Sequence, residues 1–176
     1  MTTDSVQTAD PVGFSMRSAT PDDLPLVLSF IRELAEYEHL SHMVTATEAG
    51  LRAALFGSRP AAEVILGFAK DEPAGFAVYF WNFSTFLGLP GLWLEDLYVR
   101  PHHRRRGYGR ALLLEVAAMA RDRGCGRFEW AALDWNVSAI RFYRALGALP
   151  LDDWTTFRVT GKSLDHLVAM RRNKGT

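Results

Sequence analysis

The spacing of apolar side chains changes along the chain, and each spacing predicts a different element. Residues 14–19 alternate between apolar and polar types, which is typical of a first strand. Apolar residues in 24–35 recur at three- and four-residue intervals, which predicts an amphipathic helix with Thr20 as its N-cap. The capping-box pattern of residues 45–48 predicts a second helix that ends near Gly57.

The same apolar and polar patterns predict the strands and helices of the rest of the chain. Strands are predicted over 62–70, 74–83, 92–99, 127–135 and 154–161, and helices over 107–123, 136–147 and 164–170. The two strands at 62–70 and 74–83 are close enough to form a hairpin. Without the short closing helix, the order is β-α-α-β-β-β-α-β-α-β, with antiparallel pairs first and a βαβ unit later. This order predicts an α/β (α+β) fold.

Composition narrows the class of protein. The 176 residues are 48% hydrophobic and 23% charged, as in ordinary globular proteins. A single cysteine, Cys125, excludes an internal disulfide framework and favours a reducing, cytoplasmic location. No apolar run is long enough to predict a membrane span. Residues 1–13 lack the basic and apolar regions of a signal peptide, so a disordered tail is predicted there, followed by one domain over 14–176.

Charge is balanced overall but unevenly distributed. Residues 1–90 contain 11 acidic and 5 basic residues, and residues 91–176 contain 9 acidic and 15 basic residues. One interpretation is an anionic ligand bound by the C-terminal half and a cationic one facing the N-terminal half. The other is that neighbouring surfaces of the fold neutralise each other. The charge distribution leaves both open.

The stretch RRRGYGR at 104–110 stands between a predicted strand and a predicted helix. Gly107 and Gly109 permit close backbone approach, and the first amides of a helix favour anions. A Rossmann fingerprint needs a third glycine where Leu112 stands, and a P-loop needs Gly-Lys-Ser/Thr. The basic residues are too confined for a nucleic-acid surface. A compact phosphate site and a solvated basic turn remain as alternatives.

The turn fits the Arg/Gln-x-x-Gly-x-Gly/Ala signature and resembles that of GNAT-superfamily N-acetyltransferases. The blocks LEDLYVRPHHRRRGYG at 94–109, RGCGRFEWAALDWNVSAIRFYRALGA at 123–148 and IRELAEYE at 31–38 resemble the spermidine/spermine (diamine) N-acetyltransferases and their thialysine-acetylating relatives. The resemblance implies the GNAT fold, a mixed, mostly antiparallel central sheet that is splayed at the acetyl-CoA cleft and flanked by helices. It also implies acetyl-CoA as cosubstrate and a homodimer.

Carried over by position, the resemblance assigns roles to individual residues. Tyr143 is implied as the general acid, and Glu95 as the catalytic carboxylate at the amine. The residues implied in acetyl-CoA binding are Leu97, Tyr98, Val99, Arg104, Arg105, Arg106, Gly107, Tyr108, Gly109, Arg110, Asn136 and Tyr143. The residues implied in acceptor binding are Tyr37, Glu38, Glu95, Glu129, Trp130 and Ala131.

The chemistry of acetyl transfer agrees with these residue types. An alkylammonium, with a pKa of roughly 10.4, must lose a proton before it attacks, and a carboxylate such as Glu95 can accept it. A phenol such as Tyr143 can protonate the departing thiolate. The resemblance also implies a β-bulge near residues 96–98, whose free amides would stabilise the oxyanion. Since Glu95 and Asp96 are adjacent on a strand, only one of them is expected to enter the cleft, with the other a structural partner.

Each residue also has a simpler interpretation. Without the resemblance, Tyr143 fits a core aromatic at helical spacing, Asn136 a helix N-cap, and Glu38 a solvated helix residue. His102 and His103 have no partner at metal-ligand spacing, so no metal site is predicted.

The predicted function is acetyl transfer to a primary amine of a small cationic acceptor, a polyamine or diamine, by direct attack in a ternary complex. A thialysine or lysine-like amino acid is the alternative acceptor. The alternative from a different class is a non-catalytic acyl-CoA-binding or nucleic-acid-binding module. No nucleic-acid or membrane partner is predicted.

Overall fold

The computed structural model describes residues 11–172, which form two compact units with the boundary between Ala131 and Ala132. Most of the predicted tail, residues 1–10, lies outside the described residues. Residues 11–13 lead through a turn into the first strand. No described helix combines the length and apolar character needed to cross a bilayer.

Ten helices and strands make up these two units, apart from short 3₁₀ turns. The first unit contains β1 Phe14–Ser18, α1 Leu24–Tyr37, α2 Glu48–Phe56, β2 Glu63–Ala69, β3 Glu72–Ser84, β4 Leu89–Val99, α3 Tyr108–Asp122 and β5 Arg127–Trp130. The second unit contains α4 Val137–Ala145 and α5 Gly161–Arg172. The predicted order of elements is confirmed as far as α4.

The sheet has its five strands in chain order, β1-β2-β3-β4-β5. The first four are antiparallel neighbours, and β5 pairs with β4 in parallel through the crossover helix α3. The β2–β3 hairpin turns at Lys70, whose φ of 57° is left-handed. The prediction of a mixed, mostly antiparallel sheet is therefore confirmed.

The sheet opens between β4 and β5. Their pairing covers only four positions, from Gly91 with Arg127 to Leu94 with Trp130. Strand β4 continues to Val99 and remains paired there with β3 alone. Its last five residues consequently have no strand neighbour on the β5 side, which is the splay that the sequence resemblance implies.

Helices cover both faces of the sheet. Leu24, Val27 and Phe30 of α1 are fully buried in a core cluster that includes Tyr98 of β4. Full burial of such side chains contributes about 1.5–3 kcal/mol each. The neighbouring residue Val99 points the other way, toward the start of α3. Strand β4 is thus held from both sides, which fixes the backbone that borders the opening.

Several local predictions are wrong. The N-cap of α1 is Asp23, and Thr20 instead caps the 3₁₀ turn Pro21–Asp23 that precedes this helix. The N-cap of α2 is Thr47, whose Oγ1 accepts a 3.1 Å hydrogen bond from Gly50 N, and not Thr45. The repeated threonines offer two candidate caps, and only one suits the chain entering from Val44, which has extended backbone. Strand β4 begins at Leu89, three residues earlier than predicted.

Two further errors concern predicted strands in the second half of the chain. Residues 154–160 alternate apolar and polar types but form no strand in the structure, and β5 ends at Trp130 instead of continuing to residue 135. Alternation favours a strand only where another strand supplies hydrogen-bond partners for its backbone. Pairing of that kind is not a property of the local sequence.

Candidate active site

Strand β4 contains a β-bulge at Glu95. Val78 of β3 pairs with Asp96, whereas the next residue, Tyr79, pairs with Leu94, so Glu95 is an additional residue without its own partner. A bulge of this kind bends the strand and redirects its side chains. The bulge lies just before the range 96–98 expected from the resemblance.

The bulge places two adjacent carboxylates on one face of the sheet. Asp96 is paired with Val78, which packs against the core cluster on the α1 side. Glu95 accepts a 3.0 Å hydrogen bond from the indole Nε1 of Trp93, whose pairing partner Phe80 also lies on that side. The prediction that Glu95 and Asp96 face opposite sides is wrong, because the extra residue interrupts the strict alternation of the strand.

Glu38, at the C-terminal end of α1, completes a group with Glu95 and Asp96 that we call the acidic cluster. The pKa of Asp96 is raised to about 6, mainly by burial and in addition by the negative charges of Glu95 and Glu38. Burial also raises the pKa of Glu38. Among the described residues no hydrogen bond or ion pair engages the Asp96 carboxylate. The cluster therefore offers concentrated negative charge and a carboxylate suited to accept a proton near neutral pH.

Arg104 joins the end of α1 to the end of β4. Its guanidinium lies 4.4 Å from the ring centre of Tyr37 and 5.7 Å from that of Tyr98. Its Nε donates a 2.9 Å hydrogen bond to the carbonyl oxygen of Val99. Since Glu38 directly follows Tyr37, this arginine helps to position the acidic cluster. Direct binding of acetyl-CoA by Arg104 stays a prediction.

The glycine-rich turn has the backbone that an anion site requires. Gly107 is the N-cap of α3 with a φ of 85°, a left-handed value that favours glycine. The first helical hydrogen bond runs from Ala111 N to Gly107 O at 2.9 Å. The preceding amides, at residues 108–110, are consequently left without helical partners and carry the positive end of the helix dipole.

The side chains of this turn differ in their exposure to solvent. Arg105 and Arg106 are exposed, and Arg105 also has a left-handed φ of 61°. Arg110 has a buried Nε without a hydrogen-bond partner. Tyr108 is buried and stacks on Phe14 with ring centres 4.2 Å apart, so only its backbone could serve a ligand. Free amides, exposed cations and an unpaired guanidinium NH together fit a pyrophosphate.

Strand β5 borders the bulge from the other side. Glu129 and Trp130 pair with the two residues of β4 immediately before Glu95. Glu129 forms a 2.9 Å ion pair with Arg127, and the Trp130 ring lies 4.9 Å from that of Phe128. Ala131 follows the strand as the last residue of the first unit. The predicted acceptor-binding residues Glu129, Trp130 and Ala131 thus share the segment where the sheet opens.

The second unit carries the two remaining predicted residues on one helix. Asn136 is the N-cap of α4, and its Oδ1 accepts a 3.2 Å hydrogen bond from Ala139 N. Its capping role is confirmed, and its contact with the cofactor stays a prediction. Tyr143 lies seven residues further along, about two helical turns, so both residues occupy one face of the helix. The Tyr143 ring is 5.2 Å from that of Phe142.

Family comparison agrees with this fold. Residues 28–148 match the model of the acetyltransferase (GNAT) family. The chain belongs to this family and is an acetyl-CoA-dependent N-acetyltransferase. The match includes the splayed strand, the bulge and the glycine-rich turn.

Individual relatives cover nearly the whole chain. Thialysine N-epsilon-acetyltransferase of Sus scrofa is 39% identical over 165 residues, covering 86% of this chain and 95% of the relative. L-ornithine N5-acetyltransferase of Arabidopsis thaliana is 32% identical over 209 residues, covering 91% of this chain and 92% of the relative. A solved integron cassette protein from the mobile metagenome of V. cholerae superposes with a TM-score of 0.74 at 27% identity, covering 89% of this chain and 98% of that one.

Proposed function

We propose that this acetyltransferase acts on the terminal primary amine of a small cationic diamino acid of the thialysine or ornithine type. The observation that carries the proposal is the acidic cluster beside the bulge of β4. Relatives that are 39% and 32% identical over most of the chain act, by name, on thialysine and L-ornithine. Both of these acceptors carry the ammonium group that the cluster would attract.

The acidic cluster would serve two steps in turn. Its charge attracts the ammonium, and one carboxylate then accepts the proton that the amine must lose before attack. Glu95 is the proposed contact with the amine, because it is exposed and held by Trp93. Asp96, with a pKa raised to about 6, is matched to taking up that proton directly, through Glu95 or through water. The sequence predicts a structural pairing role for whichever of Glu95 and Asp96 points away from the cleft, because only the bulge brings both to one face.

The remaining proposed roles concern the acetyl donor. Bound acetyl-CoA would supply the acetyl group as a thioester. The amides of residues 108–110, with Arg105, Arg106 and Arg110 around them, would hold its pyrophosphate. Amides at the unpaired edge of β4 would stabilise the developing oxyanion. On the basis of the motif position, we propose that Tyr143 protonates the thiolate.

A polyamine is the second candidate acceptor. Three carboxylates in one cluster also suit an extended polycation. A polyamine has no α-carboxylate, so its site needs no positively charged group to bind one. The two acceptor classes differ in that carboxylate, which makes them easy to separate by experiment.

An acceptor screen tests the proposal directly. Release of free CoA would be measured with thialysine, L-ornithine, L-lysine, putrescine and spermidine at equal concentrations. We expect the highest kcat/KM for a diamino acid, and a preference for spermidine would select the second candidate. Turnover with none of these amines, together with salt-dependent binding to generic DNA, would contradict the enzymatic proposal.

The homodimer implied by the resemblance is part of the same proposal. Light scattering coupled to size-exclusion chromatography would test it, with a mass near twice the 19.7 kDa of one chain as the expected result.

A further inference from the structure

A group of three potential metal ligands lies away from the acidic cluster, where the β2–β3 hairpin meets the end of β4. Glu72 is the first residue of β3, and His102 and His103 belong to the 3₁₀ turn Pro101–His103 that follows β4. Because β3 and β4 are antiparallel, the start of one strand lies beside the end of the other. The Arg100 N to Ala74 O hydrogen bond, at 2.9 Å, extends this pairing toward the turn.

The three side chains converge on one point. Nε2 of His102 lies 3.2 Å from Oε1 of Glu72, and Nε2 of His103 lies 3.5 Å from the same oxygen. One ligand atom from each of the three residues can be chosen so that all lie within 4.8 Å of one another. Ligands bound about 2.0–2.1 Å from a tetrahedral zinc ion are separated by about 3.3 Å. The two nitrogen–oxygen distances therefore fit two edges of such a tetrahedron.

The burial of His103 indicates that this group is more than a surface ion pair. It is only 4% exposed, and neither of its ring nitrogens has a hydrogen-bond partner. Its Nε2 has only the 3.5 Å ion-pair contact with Glu72, and a buried imidazole without a hydrogen bond is unfavourable because its nitrogens have lost water. The His102–Glu72 hydrogen bond leaves both nitrogens of His103 without one. A metal ion bound to Nε2 would supply a strong partner for one of these two nitrogens.

We propose that Glu72, His102 and His103 bind a divalent transition metal, Zn²⁺ or Co²⁺, through one carboxylate oxygen and two imidazole Nε2 atoms. Two histidines and one carboxylate form a donor set that suits these ions, with solvent in the fourth position. The sequence prediction of no metal rested on the absence of a ligand at suitable spacing. Glu72 is 30 residues away from His102 along the chain, and only the strand pairing brings it close.

The position of the site suggests what the metal would do. His103 immediately precedes Arg104, which holds the end of β4 and leads into the glycine-rich turn. A metal bound here would link the β2–β3 hairpin to the start of that turn. Because a ligand that binds only the folded state stabilises it, the metal should raise the midpoint of thermal unfolding.

The test uses the full chain without an affinity tag, stripped of metal by chelation and dialysed. Co²⁺ is titrated while the visible absorption spectrum is recorded, and Zn²⁺ affinity is measured by competition with a chromogenic chelator. We expect one equivalent of Co²⁺ with the intense bands of a four-coordinate site, displacement by Zn²⁺, and an increased unfolding temperature.

Variants identify the ligands. Glu72→Gln and His102→Gln change exposed side chains, and each should weaken Zn²⁺ binding by at least about tenfold, since even indirect supports of metal sites have effects of that size. His42→Gln, at an exposed histidine of another 3₁₀ turn, is the matched control and should bind like the wild type. Absence of the cobalt spectrum, or unchanged affinity in both ligand variants, would overturn the proposal. Neither readout depends on acetyl transfer.

Discussion

The acidic cluster and the glycine-rich turn, the proposed amine and pyrophosphate sites, would bind opposite charges by different physical means. The cluster uses the side chains Glu38, Glu95 and Asp96, and a bulge and a helix end bring them together. The turn relies on backbone amides that open α3, with arginines around them. A backbone site depends on the conformation of a few consecutive residues, whereas a side-chain site depends on the register of a whole sheet. The following experiments change one region at a time.

The largest expected effect is on the chemical step and should leave both binding regions intact. Tyr143→Phe removes the proposed proton donor, so kcat should fall by about 10²–10⁴-fold. The Kd for acetyl-CoA should hardly change, because the phenol would act on the leaving thiolate. Steady-state kinetics and calorimetry measure the two quantities. An unchanged kcat would exclude Tyr143 as the acid.

Glu95→Gln tests the acidic cluster. The amine should lose an attractive charge and one of the two carboxylates that can take up its proton, so kcat/KM for the acceptor should fall by about 100-fold. The KM for acetyl-CoA should stay close to that of the wild type. Glu115→Gln, an exposed carboxylate on α3, is the matched control. Equal effects in the two variants would mean that the position of Glu95 has no special role.

Gly107→Ala tests the glycine-rich turn. A Cβ at a φ of 85° is strained, by about 1–2 kcal/mol, and would also lie 3.2 Å from Cγ of Pro11. The strained turn should relax in the free protein, and restoring its amides on binding would cost about that energy, so we expect the Kd for acetyl-CoA to rise by about tenfold, with little change in KM for the amine. Gly88→Ala is the control, since Gly88 has a φ of 65° in open space between β3 and β4. Similar losses of affinity in both variants would argue against a specific site at the turn.

Asp96→Asn should lower the maximal rate less than Glu95→Gln, because Glu95 and water remain to take up the proton of the amine, and it should have the clearest effect on pH dependence. Because the pKa of Asp96 is raised to about 6, wild-type activity should fall as the pH drops through about 6 and the base becomes protonated. The variant should lose that acidic limb. A pH–rate profile of the variant that retains it would assign the limb to another group.

The raised pKa of Asp96 also predicts that Asp96→Asn makes the folded protein more stable at neutral pH. The folded protein holds a proton on Asp96 up to about pH 6, whereas an unfolded aspartate releases it near its ordinary pKa of 3.8. Wild-type stability therefore decreases as the pH rises from about 4 to 6, and the loss persists at pH 7. Asp96→Asn should increase the free energy of unfolding at pH 7 by about 1–3 kcal/mol. Urea titrations should show a clearly larger gain at pH 7 than at pH 4.5, where only part of the penalty has developed.

Several features could be predicted from short stretches of sequence because their causes are local. Gly107 before an apolar helix, Asn136 before α4 and the alternation of β1 each depend on residues within one or two turns. The glycine-rich turn was recognisable for this reason. The choice between Thr45 and Thr47 as a helix cap already depended on the direction of the entering chain.

Sequence alone determined the family, the order of elements up to α4 and the residues of the glycine-rich turn, since these follow from local conformation and motif spacing. Tertiary structure decided that Glu95 is an extra residue in the ladder, that Asp96 shares its face, and that Glu72 meets His102 and His103. It also left residues 154–160 without a strand partner. Hydrogen-bond register between distant segments controls all of these outcomes, and no local pattern of residues records that register.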